Sequence, residues 1–255
     1  MGSSSSGGWY DGAVYSMVVD RLLTGLHGHV TTHLPDGQRV LDAACGTGAL
    51  SQQIARTGRQ VVGVDMSQRH IDHARRRVAD AGVGQDAVRF EVGDLRKVKA
   101  PAEGAWDVAV IVLALHEMRP DVASSVVARL HQVAAQVMIA DFFAPLPWNV
   151  PGVTNRAAEL AAGPSHWAAF RDYQANGGLD AVLGRTGART LTDRTIARGT
   201  IRVTTSRSRS RRSRACRSGR TGHDDLDEDF TESHGLAPRH QSRLSDRDMA
   251  GRHLA

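Results

Sequence analysis

The sequence predicts an α/β fold, a doubly wound and mostly parallel sheet closed by an antiparallel hairpin. Three observations predict it. Val40 to Leu50 reads VLDAACGTGAL, an apolar strand running into a small-residue loop, with a helical segment opening at Thr47 or Gly48. Asp65 then stands near the end of the next apolar run, Gln60 to Val64, where a βαβ unit sets a carboxylate opposite the glycine loop. Short apolar runs keep alternating with amphipathic segments as far as the fifth run, and the pattern ends on two runs joined by Arg198-Gly199.

In chain order, Ser3 to Gly8 reads as a flexible leader within residues 1–12, and Trp9 and Tyr10 begin the ordered part. Val14, Met17, Val18, Leu22, Leu23 and Leu26 recur at helical spacing ahead of the first strand. Gly48 to Thr57 is the first crossover helix, ended by Gly58. Val61, Val62 and Val64 make the second strand; Ser67 caps a helix with Ile71, Ala74 and Val78 on its inner face. Val88, Phe90 and Val92 alternate as a third strand, with Gly93-Asp94 at its carboxyl end.

Trp106 to Leu115 is a nearly continuous apolar run, the pattern of a central parallel strand covered on both faces, and it ends in His116-Glu117-Met118. Pro120 and Asp121 start a helix with a stripe of Val122, Val126, Leu130 and Val133. Val137 to Ala140 is the fifth strand, followed by Asp141, Phe142 and Phe143. From Ala144 to Gly163 the prolines Pro145, Pro147 and Pro151 break helical continuity, leaving only Asn155 to Ala162 as a short helical piece. Asn176-Gly177-Gly178 interrupts the next helix, and Ala188–Ala197 with Thr200–Thr205 form the hairpin.

The small-residue loop brings ligand against backbone N–H groups, since Gly46 and Gly48 carry no side chain to hold it off. This arrangement resembles the class I S-adenosylmethionine-dependent methyltransferases, in the small-molecule branch that includes ubiquinone and menaquinone biosynthesis. That family's first motif is an acid, three small residues, then glycine, any residue and glycine; here it reads Asp42, Ala43-Ala44-Cys45, Gly46, Thr47, Gly48. The dinucleotide loop fits less well, because Ala49-Leu50-Ser51 follows Gly48 where a third glycine is wanted.

The resemblance covers roughly residues 13–205 and implies a Rossmann-like, seven-stranded sheet. It implies S-adenosyl-L-methionine as cofactor, held by Asp42, Ala44, Gly46, Gly48, Asp65, Met66, Asp94, Leu95 and Leu113. Asp65 would accept hydrogen bonds from the ribose hydroxyls and Asp94 from the adenine amino group, with Leu95 flanking the ring. Tyr10 and Tyr15 either line this pocket or pack in the core. The end of the fourth strand points at the transferred methyl group in such proteins, which makes His116 and Asp141 the catalytic candidates. His116 is either a general base, oriented by Asp141 or Glu117, or a residue that shapes the pocket.

Residues 144–175 read as a substrate-facing insertion, and the acceptor as a small organic molecule with an aromatic or extended apolar part. Trp148, His166, Trp167, Phe170 and Tyr173 either wall that pocket, with Arg156 or Arg171 for an anionic acceptor, or (the last four) pack a helix running to Leu183. No metal is expected: His27, His29 and His33 have no Cys or acid at ligand spacing and read as a solvated helix end. Cys45 lies inside the loop with no base beside it and reads as a small buried residue.

The 255 residues, 41% of them hydrophobic, allow a sizeable core. No apolar run reaches the roughly 18 residues of a membrane span, and the first residues have no secretory pattern, so a cytoplasmic enzyme is expected, as monomer or homodimer. The net charge of +5 owes most to the region after residue 205, with 11 arginines against 8 acids. The domain itself is nearly neutral, which gives no reason to expect nucleic acid. The stretch 206–255 is Arg/Ser-rich and then acidic, without apolar periodicity, and is expected to be disordered. Two alternatives remain: an RNA methyltransferase using the arginine-rich tail, and a non-catalytic S-adenosylmethionine-binding protein.

Overall fold

The computed structural model describes residues 13–84 and 86–209, the side chains of 13–22 excepted. The leader 1–12 with Tyr10, the side chain of Tyr15 and the arginine-rich and acidic stretches beyond 209 lie outside the described residues. The chain runs α1 (Ala13–His33), β1 (Arg39–Ala43), α2 (Ala49–Ala55), β2 (Gln60–Asp65), α3 (Gln68–Asp80), β3 (Val88–Val92), β4 (Trp106–Val112) and α4 (Pro120–Val133). It continues through β5 (Ala134–Phe142), α5 (Val150–Ala161), α6 (Pro164–Ala175), α7 (Gly178–Thr186), β6 (Arg189–Ile196) and β7 (Ile201–Arg207).

The strands form one seven-stranded sheet in the order β3-β2-β1-β4-β5-β7-β6. The pairs from β3 through β5 are parallel, whereas β5–β7 and β7–β6 are antiparallel. Because the crossover strands run the same way, the carboxyl ends of β1 to β5 share one edge, the edge on which such sheets place ligands. The doubly wound sheet and its terminal hairpin are therefore as the sequence predicts.

The core sits where the apolar runs are longest. Val108 to Ile111 in β4 are fully buried, as are Leu41 in β1 and Ile139 in β5 on either side. At the far edge β6 is exposed along almost its whole length, so its alternating polar residues face water. Ser67 caps α3 by accepting the His70 N–H, and Pro120 begins α4, where a missing N–H costs nothing.

Three boundaries differ from expectation, each for a local reason. Strand β4 stops at Val112: Leu113 still donates its N–H to Ala140 O at 2.8 Å but takes φ 49, and Leu115–Glu117 then coil into a single 3₁₀ turn. Pro151 does not break the insertion, because it falls in the first turn of α5, which is capped by Asn149 accepting the Gly152 N–H at 2.9 Å. Strand β7 continues to Arg207, with Ser206 buried opposite Val137 and 3.0 Å from His131 Nε2.

Candidate active site

At the carboxyl end of β1 the chain makes a left-handed turn. Ala44, Gly46 and Gly48 have φ of 58, 51 and 76. The two glycines serve different purposes. A Cβ on Gly46 would meet no atom within 4 Å, so that side of the loop is open. A Cβ on Gly48 would lie 2.8 Å from both Ala74 Cβ and Phe90 Cζ, so this glycine lets α2 close down on α3 and β3.

Asp65, at the end of β2, ties the loop to the neighbouring strand. Its Oδ2 accepts the Gly46 N–H and its Oδ1 the Ser67 N–H, both at 2.9 Å. His70 Nδ1 stands 3.5 Å from Oδ1, and of the about four acceptor positions of a carboxylate Oδ2 keeps one free. Next to it Met66 is 84% exposed, a large apolar side chain turned outward beside a polar site. Asp94, past the end of β3, caps the turn Leu95–Lys97 through the Arg96 N–H and is gripped by the Arg96 guanidinium at 2.7–3.1 Å. Those bonds hold its carboxyl down at about 2. Leu95 is buried beneath.

Asp42 lies under the loop, 2% exposed, and accepts the Ser51 hydroxyl at 2.5 Å. Burial pushes its carboxyl up to about 7 against that hydrogen bond, and the charge of Asp65 adds to the rise. Burial likewise raises the Cys45 thiol, with Asp42 and Asp65 nearby, which fits a packing residue and not a nucleophile.

The second half of the site surrounds His116 in the 3₁₀ turn after β4. Its Nδ1 is 2.7 Å from Asp141 Oδ1 at the end of β5; Asp141 also accepts the Leu115 N–H at 2.8 Å and the Phe142 N–H at 2.7 Å. The ring of Phe142 lies 4.6 Å from the imidazole, and Phe170 and Tyr173 of α6 meet it edge-on at 6.5 and 6.4 Å. His116 Nε2 faces Glu159 Oε1 of α5 at 3.5 Å and Glu117 Oε1 at 3.9 Å, and Glu117 is in turn 3.7 Å from His166 Nδ1. Burial pulls the imidazole down, but the charge and hydrogen bond of Asp141, followed by those of Glu159, outweigh it and raise His116 to about 10. These neighbours favour the imidazolium form.

Sequence reasoning missed Glu159, which belongs to this cluster, and Asn155, its neighbour one turn earlier. Glu159 and Asn155 stand one turn apart on α5, a spacing that puts them on one helix face. Glu159 Oε2 and Asn155 Nδ2 are buried without a partner. The i, i+4 pair was visible in the short helix expected over Asn155 to Ala162, but nothing in the sequence marks that face as buried.

Arg156 is not available to an anionic acceptor. It donates to the carbonyls of Leu146, Pro147 and Gly152 at 2.6–3.2 Å and lies 4.0 Å over the ring of Trp148, so the loop before α5 consumes it. Trp148 is 83% exposed and walls no pocket. Trp167 stacks on the buried Phe170, and the helix they pack ends at Ala175, where Asn176-Gly177 interrupt it as the sequence predicts, before α7 resumes at Gly178. Among the described residues no His, Cys, Asp or Glu cluster is arranged to hold a metal ion, and no helix is long and apolar enough to cross a membrane.

Residues 40–136 match the family model described as a methyltransferase domain. The segment is thus similar to methyltransferase domains. It takes in the loop, Asp65, Asp94 and His116, while Asp141 and the whole of α5 lie beyond it. Curated proteins are similar to the same part of the chain. The S-adenosyl-L-methionine-dependent Diels-Alderase of Talaromyces variabilis is 29% identical over 132 residues, 52% of this chain and 39% of that protein. The ubiquinone biosynthesis O-methyltransferase of Hahella chejuensis is 38% identical over 92 residues, 36% of this chain and 37% of that one. The chain thus spans about two fifths of the length of these relatives. In fold it is similar to the PH0226 protein of Pyrococcus horikoshii, with a TM-score of 0.53 and 17% identity over 78% of this chain and 93% of that one.

S-adenosylmethionine is the cofactor of such domains, and the residues fit it. The open face of Gly46, the remaining acceptor capacity of Asp65 and the outward Met66 stand at the ends of the adjacent strands β1 and β2. That set matches a ligand with a ribose diol and an apolar ring.

Proposed function

We propose that this protein transfers a methyl group from S-adenosylmethionine to an O, N or C atom of a small organic molecule. The observation that carries the reading is Asp65 Oδ2 bound to the Gly46 N–H at the shared carboxyl edge of β1 and β2, next to the open side of the loop. In this reading Asp65 takes the ribose hydroxyls, Met66 and Leu95 flank the adenine, and Asp94 meets its amino group where Arg96 leaves room. The backbone at Ala44, Gly46 and Gly48 faces the methionine part, with Asp42 below and Leu113 beside it. Bound S-adenosylmethionine supplies an electrophilic methyl group, and the protein's share is to orient the acceptor and exclude water.

His116 then serves as a fixed positive donor and not as the base that takes the acceptor's proton, because Asp141 and Glu159 already hold a proton on it. The near-neutral domain favours a small acceptor over nucleic acid, and the protein is read as a cytoplasmic monomer or homodimer. A second reading, in which the cofactor is bound but not consumed, is favoured by the names of two relatives, both S-adenosyl-L-methionine-dependent Diels-Alderases.

Calorimetry with S-adenosylmethionine and its demethylated product comes first, on wild type and Asp65→Ala. Two charge-assisted hydrogen bonds, each worth about 1.5–3 kcal/mol, are at stake. A screen for methyl-donor consumption across quinols, phenols, amines, small carboxylic acids and RNA follows. Absence of binding to wild type overturns the reading, and turnover on RNA alone overturns the acceptor. Tight binding without consumption on any acceptor selects the second reading.

A further inference from the structure

Within the cluster around His116, one acceptor atom and one donor atom lack partners. Glu159 directs Oε1 at the imidazolium of His116, 3.5 Å away, and leaves Oε2 buried and unpaired. One turn earlier on the same face of α5, Asn155 is 5% exposed and its Nδ2 is buried and unpaired. A buried polar atom left without a partner costs about 1–3 kcal/mol, so these two, a helical turn apart on α5, call for a partner from outside the chain.

We propose that Asn155 and Glu159 hold the methyl acceptor by a hydroxyl group, with Glu159 receiving its proton. This rests on the methyl-transfer reading above. A single group bridging the two would accept from Asn155 Nδ2 and donate to Glu159 Oε2. An ether oxygen cannot donate, and an ammonium cannot accept. A carboxylate cannot donate either, and it would face Asp141, Glu159 and Glu117 together. A hydroxyl does both.

In the reaction the acceptor's O–H bond breaks, its proton passes to Glu159 Oε2, and the oxygen forms the new bond to the methyl carbon. The C–S bonding pair leaves with the thioether product. The proton then has a way out past Glu117, which is half exposed, and His166. His116, already protonated, fixes the other oxygen of Glu159 throughout.

The test uses the full-length protein saturated with S-adenosylhomocysteine, titrated with two matched pairs, phenol against anisole and catechol against its dimethyl ether. Each hydroxyl compound is expected to bind at least about tenfold more tightly than its ether. Glu159→Gln and Asn155→Ala should each bring the pair within about twofold while leaving S-adenosylhomocysteine affinity unchanged. Equal binding of phenol and anisole, and of catechol and its ether, to wild type would mean that water satisfies the two atoms, and the proposal falls even if the Gln variant does not fold. If wild type fails to bind S-adenosylhomocysteine, the methyl-transfer reading falls and takes this one with it.

The proton-transfer half has its own readout. On a phenolic acceptor Glu159→Gln should lose about 100-fold in turnover near neutral pH and recover as pH approaches the acceptor's own ionisation, where no base is needed. A loss that stays flat with pH, or turnover confined to acceptors without a hydroxyl, removes Glu159 as the base.

Discussion

His116 Nδ1 lies 2.7 Å from Asp141 Oδ1, and both side chains are closed to solvent where β4 and β5 end. The pair ties the turn after β4 to the end of β5, since Asp141 also accepts the N–H groups of Leu115 and Phe142. Removing one partner from a buried pair costs about 3–5 kcal/mol, because the other charge stays behind. Asp141→Ala is expected to lose that much in chemical denaturation.

The same pair predicts a pH dependence. The folded value of His116, about 10, lies above its unfolded value of 6.5, so its stabilisation is complete below pH 6.5 and is lost as pH rises through about 10. Denaturation at about pH 6 and about pH 10 should show wild type losing stability over that span. His116→Gln should lose much less, and equal slopes in the two proteins would show that the imidazole is neutral in the fold.

The cofactor half of this arrangement was legible because its signals are local. Asp42, Gly46, Gly48 and Asp65 sit at strand ends, and a run of apolar residues followed by small ones fixes where a strand ends. The acceptor half was not legible, because burial on α5 is decided by what packs over it. Asn155 and Glu159 look like any polar residues on a surface helix, and only the folded turn after β4 brings His116 to within 3.5 Å of Glu159. Arg156 looked free for a ligand because nothing in the sequence tells that Leu146 and Pro147 lack backbone partners for their carbonyls. The reach of β4 was overestimated for a similar reason: Leu113 to Leu115 are apolar enough for a strand, and only the Asp141 carboxylate draws Leu115 out of the ladder.

The two loop glycines should respond differently to alanine. At Gly48 a methyl group would have to displace Ala74 and Phe90 at a φ of 76, so Gly48→Ala is expected to cost about 3 kcal/mol or more in thermal unfolding. At Gly46 the added methyl meets no protein atom, so Gly46→Ala costs only about 1–2 kcal/mol of backbone strain. Its main effect should be on calorimetric S-adenosylmethionine affinity, because the methyl fills the open side of the loop.

Arg156 closes the loop 144–149 against α5 through the carbonyls of Leu146 and Pro147 and the face of Trp148. Arg156→Ala is expected to lower stability by about 2 kcal/mol, and Arg156→Lys to recover little, because an ammonium cannot reproduce the planar fork. In the acceptor screen, anionic compounds should lose no more than neutral ones. A selective loss of anionic acceptors would show that the guanidinium turns toward substrate.

Asp42 carries the remaining prediction, which concerns a proton and not a contact. Its folded value of about 7 stands above the 3.8 of an ordinary aspartate because burial disfavours its charge, so the acid is near half ionised at neutral pH. In the free protein this makes the sign unfavourable: stability contributed below 3.8 is lost as pH rises through about 7. A cofactor bearing a sulfonium and an ammonium over the loop favours the ionised form. Binding should therefore expel a proton below pH 7, and affinity should rise with pH up to about 7, by at most about tenfold per pH unit, and then level off. Calorimetry at pH 6 in two buffers of different ionisation enthalpy measures the released proton directly. Asp42→Asn keeps an oxygen for the Ser51 hydroxyl but has no proton to release, so its affinity should be weaker and flat across the same range. A wild-type affinity that does not change with pH, with equal heats in both buffers, would show that Asp42 keeps one protonation state throughout and acts on the cofactor only by supporting the loop.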